Sequence, residues 1–123
     1  MYKYYNCNPL SREVNDCSVR AISLAEGKSW DKCYEELSKY AQKQCILLDD
    51  AMFIEPYLNS KYPTICYKCK GSRMTVGEFA ESHPQGVFLA TMKGHITCII
   101  DGTIYDIWDC SDKRIWHVWE LTN

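Results

Sequence analysis

The chain has 123 residues, 46% hydrophobic and 24% charged, the composition of one globular domain rather than a disordered segment. Fourteen Lys and Arg against sixteen Asp and Glu give a formal net charge of −2; the signs are mixed, and no basic stripe marks a nucleic-acid footprint. Uncharged stretches such as 86–92 and 96–100 fall far short of the roughly 20 apolar residues of a membrane span.

Met1-Tyr2-Lys3-Tyr4-Tyr5-Asn6 lacks the apolar heart of a signal peptide. We therefore expect a cytoplasmic protein with no nucleic-acid or membrane partner. Eight cysteines are expected as reduced thiols, because a chain of this size builds a core without crosslinks. No repeat or linker interrupts residues 1–123, which read as a single domain.

The first half carries helical periodicity. Asn15 and Asp16 suit an N-cap, Ala21, Ile22, Leu24 and Ala25 supply an apolar side, and Gly27 ends the first helix. Ser29 caps a second helix with Trp30, Cys33, Tyr34, Leu37 and Ala41 at spacings of three and four. After Asp49 and Asp50, Pro56 fits near the start of a short third helix around Tyr57 and Leu58. Residues 64–69 predict a strand. Thr75-Val76-Gly77-Glu78 reads as a capping box before a short helix that stops near His83-Pro84.

The period then changes to two. Residues 86–92, 95–100, 103–108 and 114–121 are rich in Val, Ile, Thr, Trp and Tyr. Asp101-Gly102 is a two-residue hairpin signal. Helices followed by an antiparallel sheet make an α+β fold.

Cys17 follows Asn15-Asp16 at the mouth of the first helix, where unpaired N–H groups and the helix dipole favour thiolate. The same position also suits a small residue with no chemical role. A two-residue turn at Asp101-Gly102 sets Ile99 against Ile104 and Thr97 against Asp106. His95, Thr97, Ile99, Ile104, Asp106 and Trp108 then share one face, and Ile96, Cys98, Ile100, Tyr105 and Ile107 form an expected buried face. Asp106 would hold one nitrogen of His95 while the other faces a thiol. A three-residue turn would bring Asp109 to His95 instead, because a one-residue slip exchanges the faces.

Other signals compete. Cys66-Tyr67-Lys68-Cys69 offers two of the four ligands of a structural zinc site, and no second such pair exists. We expect no metal and no cofactor. His117 in the aromatic-rich C-terminal stretch is expected to be exposed rather than catalytic. Arg20 suits either an ion pair with Asp16 or a substrate carboxylate.

The segments Asn15-Asp16-Cys17-Ser18-Val19-Arg20-Ala21-Ile22, Gly94-His95-Ile96-Thr97-Cys98-Ile99-Ile100-Asp101-Gly102 and Tyr105-Asp106-Ile107-Trp108-Asp109 resemble the small papain-like cysteine peptidase superfamily. Tyr5-Asn6-Cys7-Asn8-Pro9, Thr75-Val76-Gly77-Glu78-Phe79 and His83-Pro84-Gln85-Gly86 extend the resemblance over most of the chain. In particular, it is similar to short proteins of that type from bacteriophages and Gram-positive gut bacteria, implying a phage-encoded protein in a bacterial cell.

The resemblance implies a papain-like fold, with N-terminal helices packed on a C-terminal antiparallel sheet. It also implies thiol chemistry on an amide or related acyl bond of a peptide or protein substrate. Cys17 would be the nucleophile, His95 the base, and Asp106, or Asp109 as second choice, the orienting acid. The Cys17 N–H and an upstream amide would meet the oxyanion. Many papain-like enzymes have glutamine about six residues before the cysteine, whereas this chain has Ser11 there. Asn8 and Asn15, with Asn6 behind them, are the candidates to replace it. An acyl or glutamyl transferase with the same triad, and a non-catalytic binding or inhibitor protein on the same fold, are the alternative readings.

Overall fold

The computed structural model describes residues 1–48, 54–65 and 73–121. Its elements run β1 (Tyr2–Tyr4), α1 (Cys17–Glu26), α2 (Trp30–Lys43), α3 (Ile54–Asn59), β2 (Thr64–Ile65) and α4 (Val76–Ser82). They continue as β3 (Val87–Met92), β4 (His95–Ile100), β5 (Thr103–Asp106) and β6 (His117–Leu121). The fold is α+β, with one six-stranded sheet in the order β1-β5-β4-β3-β6-β2.

Local chemistry sets the helix ends. Asp16 occupies the N-cap of α1, and Gly27 ends it at φ 68° in the left-handed region, where the absence of a Cβ removes the penalty. The Ser29 side chain accepts from Lys32 N–H at the head of α2. Thr75 and Glu78 form the reciprocal capping box of α4.

The sheet is mixed, which corrects the antiparallel expectation. β1 runs parallel to β5, with Tyr2 opposite Ile104 and Tyr4 opposite Asp106, while the other pairings are antiparallel. Three residues are too few for a detectable alternation, so β1 escapes a reading based on periodicity. The strand expected over 103–108 stops at Asp106, and the one expected from 114 begins at His117. Between them, Arg114 pairs only as an isolated bridge to Thr75. Of the strand expected over 64–69, Thr64 and Ile65 pair with β6; the remainder, with the Cys66/Cys69 pair, lies outside the described residues.

Both faces of the sheet are covered. On one, α1 and α2 pack Val19, Ile22, Cys33 and Leu37 against Leu89, Ile96, Cys98 and Trp119. On the other, Val76, Phe79 and Ala80 of α4, with Cys110 and Ile115, cover Phe88, Ala90, Ile99, Ile104 and Val118. The face expected to be polar is therefore buried as well: Thr97, Ile99, Ile104 and Asp106 are each 0–1% exposed. Its charged member, Asp106, is paired inside the protein, since an unpaired buried charge is too costly to keep. No described helix is long and apolar enough to cross a membrane.

Candidate active site

The β4–β5 hairpin has the expected register. Ile100 faces Thr103 and Ile99 faces Ile104, across a turn in which Asp101 (φ 49°) and Gly102 (φ 79°) are both left-handed. This is the combination a two-residue type I′ turn demands. It puts His95 at the start of β4 and Asp106 at the end of β5 on one face, where His95 Nε2 lies 2.6 Å from Asp106 Oδ2. Asp109, the alternative acid, is exposed and turned away, its Oδ1 accepting from Ser111 N–H at 3.0 Å.

Cys17 is the first residue of α1 and half-buried. Its thiol interacts with the His95 ring, and because Asp106 engages Nε2, Nδ1 is the nitrogen left for the sulfur. Burial opposes a thiolate at Cys17, but the His95 hydrogen bond and charge, the Ile96 backbone and the Arg20 charge together bring its pKa below that of an ordinary thiol. Burial also opposes an imidazolium at His95. The Asp106 and Cys17 hydrogen bonds and charges overcome it and raise His95 to about 9. Asp106 is held below the usual carboxylate range: its burial is outweighed by the bond and charge of His95 and by the Ile107 N–H. These shifts favour a thiolate–imidazolium pair.

Cys98 and Cys110 behave in the opposite way. Both are fully buried, and desolvation raises Cys98 strongly and Cys110 to about 12. Cys33 is pushed to about 12 for the same reason. Every described cysteine is a free thiol.

Arg20 organises the charges around the dyad. Its Nε donates to Asp16 Oδ1 at 2.7 Å and its Nη1 to Asp106 Oδ1 at 3.0 Å, with all three side chains buried. The other oxygen of Asp16 accepts from Trp30 Nε1 at 2.9 Å and Asn8 Nδ2 at 3.2 Å. Asp16 thus faces inward and makes no side-chain cap bond to the first turn of α1. Arg20 pairs with Asp16 as one reading expected and, beyond it, with Asp106.

The asparagines take different places. Asn8 is buried; its Nδ2 goes to Asp16 and its Oδ1 accepts from Leu10 N–H. Asn6 donates to Arg12 O and accepts from Asn8 N–H. Both amides therefore shape the loop before α1. Asn15 is exposed and lines a cavity of about 630 Å³ alongside Asp16 and Ser18, the neighbours of Cys17. The Trp30–Tyr34 stack, with centroids 5.0 Å apart, and Leu10, Val14 and Leu47 give the cavity apolar walls. Trp108 is tilted against the His95 ring, with centroids 4.9 Å apart. His117 is half-buried and bonds Glu55 at 3.0 Å, away from the dyad.

The ligand atoms of His95, Asp106 and Cys110 all lie within 4.8 Å of one another. Two ligands on a tetrahedral zinc stand roughly 3.3 Å apart, whereas His95 and Asp106 meet at 2.6 Å. Their contact has the length of a charge-assisted hydrogen bond. Comparison of the chain with protein-family models, with curated proteins and with solved structures finds no match.

Proposed function

We propose that this protein is a cysteine hydrolase of papain-like type, a peptidase or amidase acting through Cys17, His95 and Asp106. The observation that carries the reading is the meeting of three chemically complementary groups from α1, β4 and β5. Each is perturbed in the direction that thiol catalysis needs. A buried structural cysteine would instead resemble Cys98, with its thiol pushed up by desolvation.

In the reaction, the Cys17 thiolate attacks the carbonyl carbon of the scissile amide. The tetrahedral oxyanion is met by N–H groups of the first turn of α1, which Asp16 leaves without a side-chain cap. The His95 imidazolium donates its proton to the leaving amine as the C–N bond breaks, leaving a Cys17 thioester. Neutral His95 then takes a proton from water, whose oxygen attacks the thioester; the acid is released and the thiolate–imidazolium pair restored. Asp106 holds the ring and the imidazolium charge throughout. The apolar cavity lined by Asp16 and Ser18, which flank Cys17 in sequence, suits a substrate bearing a bulky apolar side chain.

The test is labelling with an electrophilic peptide probe, followed by peptide mapping over all eight cysteines. Selective modification of Cys17 that is lost in His95→Ala supports the hydrolase. Uniform slow modification would overturn it in favour of a binding module on the same fold. With a turned-over substrate, capture of the acyl group by an added primary amine in preference to water would assign transfer instead of hydrolysis.

A further inference from the structure

The described interior holds a chain of charge that extends beyond the three reacting groups. Asp16 precedes α1, Arg20 lies one turn into it, and Asp106 ends β5. The guanidinium spans the two carboxylates at 2.7 and 3.0 Å, and the three side chains are only 1–7% exposed. We propose that Arg20 is a positioning residue of the thiol site: it ties the helix that carries Cys17 to the carboxylate that holds His95. This inference rests on the reading of Cys17 as the reactive thiol.

The geometry supports this in two ways. Arg20 uses different nitrogens for the two acids, Nε for Asp16 and Nη1 for Asp106, so its planar fork fixes their relative position. A lysine ammonium is a point charge and cannot reproduce that. Second, every oxygen in the bridge is committed. Asp106 Oδ1 takes Arg20 and the Ile107 N–H at 2.7 Å, leaving Oδ2 to His95. Removing the guanidinium leaves Oδ1 with the Ile107 N–H alone, and the tie between α1 and the carboxylate that holds the imidazole is lost.

Charge counting leads to the same place. Two buried acids share the single guanidinium of Arg20, and Asp106 meets the His95 ring besides. The groups facing this cluster are Cys17 on α1, Cys110 after β5, whose Sγ is 3.9 Å from Asp106 Oδ2, and Tyr2 of β1, whose hydroxyl donates to the Asp106 carbonyl at 3.0 Å. Cys98 on β4 is buried nearby and feels the Asp106 charge. Arg20 is the permanent cation among them. Without it the two carboxylates lose the cation they share, and the Cys17 thiolate loses a nearby positive charge.

The experiment measures Cys17 alkylation by iodoacetamide against pH, read by peptide mapping, in the wild type, Arg20→Lys and Arg20→Met, with circular dichroism confirming the fold. The readout requires no substrate. The rise of the Cys17 profile is expected to move up by about one pH unit in Arg20→Met, or about tenfold in rate at a fixed pH on the lower limb. Arg20→Lys, which retains the charge, is expected between that variant and the wild type, and carries the test if Arg20→Met does not fold. Folded variants whose profiles superimpose on the wild type would overturn the positioning role while leaving the hydrolase reading intact. A wild-type Cys17 no more reactive than the other thiols would overturn both.

Discussion

His95 Nε2 and Asp106 Oδ2 are 2.6 Å apart across the β4–β5 hairpin, although eleven residues separate them in sequence. That distance results from a two-residue turn at Asp101-Gly102 and from the pleat, which gives alternate residues a common face. It leaves His95 Nδ1 for the thiol on α1, so the orientation of one ring links strand register to cysteine reactivity.

Asp106→Asn removes the charge from that contact and keeps its shape. His95 then loses the anion that lifts it to about 9 while its burial, which favours the neutral ring, remains. The imidazolium is lost near neutrality, and Cys17 alkylation at pH 6–7 is expected to fall by about tenfold or more, a change equivalent to one unit of thiol pKa. A profile identical to the wild type would show that the carboxylate does not act on the dyad.

Thermal stability followed against pH gives an independent reading. His95 has a raised pKa in the folded protein, so its contribution is complete below the ordinary value of 6.5 and is lost as pH rises through about 9. Asp106 has a depressed pKa, so its contribution is present above 3.8 and is lost as pH falls further into acid. In a Cys17→Ser background, which removes the opposing contribution of the thiolate, Tm is expected to decline on both sides of neutrality, and adding His95→Gln is expected to flatten the alkaline decline. Equal alkaline losses in the two proteins would refute the assignment.

The cavity lined by Asp16, Ser18 and the Trp30–Tyr34 stack predicts side-chain selectivity. Leu10 and Leu47 are 71% and 74% exposed on its walls, an exposure that packing does not explain. Leu10→Asp and Tyr34→Ala are expected to weaken labelling by a probe with a bulky apolar group by about 10-fold, the value of a partly buried apolar contact of ~1–2 kcal/mol. Labelling by small iodoacetamide should be unchanged. Equal losses with both reagents would indicate damage to the dyad rather than to recognition.

The second face of the sheet gives a stability prediction unrelated to the thiol. Phe79 of α4 is fully buried against Phe88, with ring centroids 5.0 Å apart and nearly perpendicular. Phe79→Ala is expected to cost about 3–5 kcal/mol, the range for a large side chain removed from a closed core. Denaturant unfolding checks this, with the change appearing in the midpoint.

The features readable in the sequence are those fixed by neighbouring residues. Gly27, Ser29 and Thr75 signal helix ends because capping is a bond between residues three or four apart. Asp101-Gly102 signals the turn, and the turn favours Asp106 over Asp109. Features made by distant residues were hidden. Arg20 and Asp106 are 86 positions apart, and no local pattern announces their bridge. β1 is three residues long, and its parallel partner lies about a hundred positions away. The Asn8 amide faces Asp16 because Asp16 turns inward to Arg20 and Trp30, a choice made by tertiary packing.

The pairing of Tyr2 with Ile104 also has a temporal meaning. Such a contact closes a loop spanning most of the chain, and long closures are slow steps in folding. While the polypeptide is being synthesised, Cys17 emerges early as one ordinary thiol among several, and its imidazole and acid follow some eighty to ninety residues later. The three groups can therefore meet only after Asp106 has been made, and until then Cys17 has no more than the reactivity of an ordinary thiol.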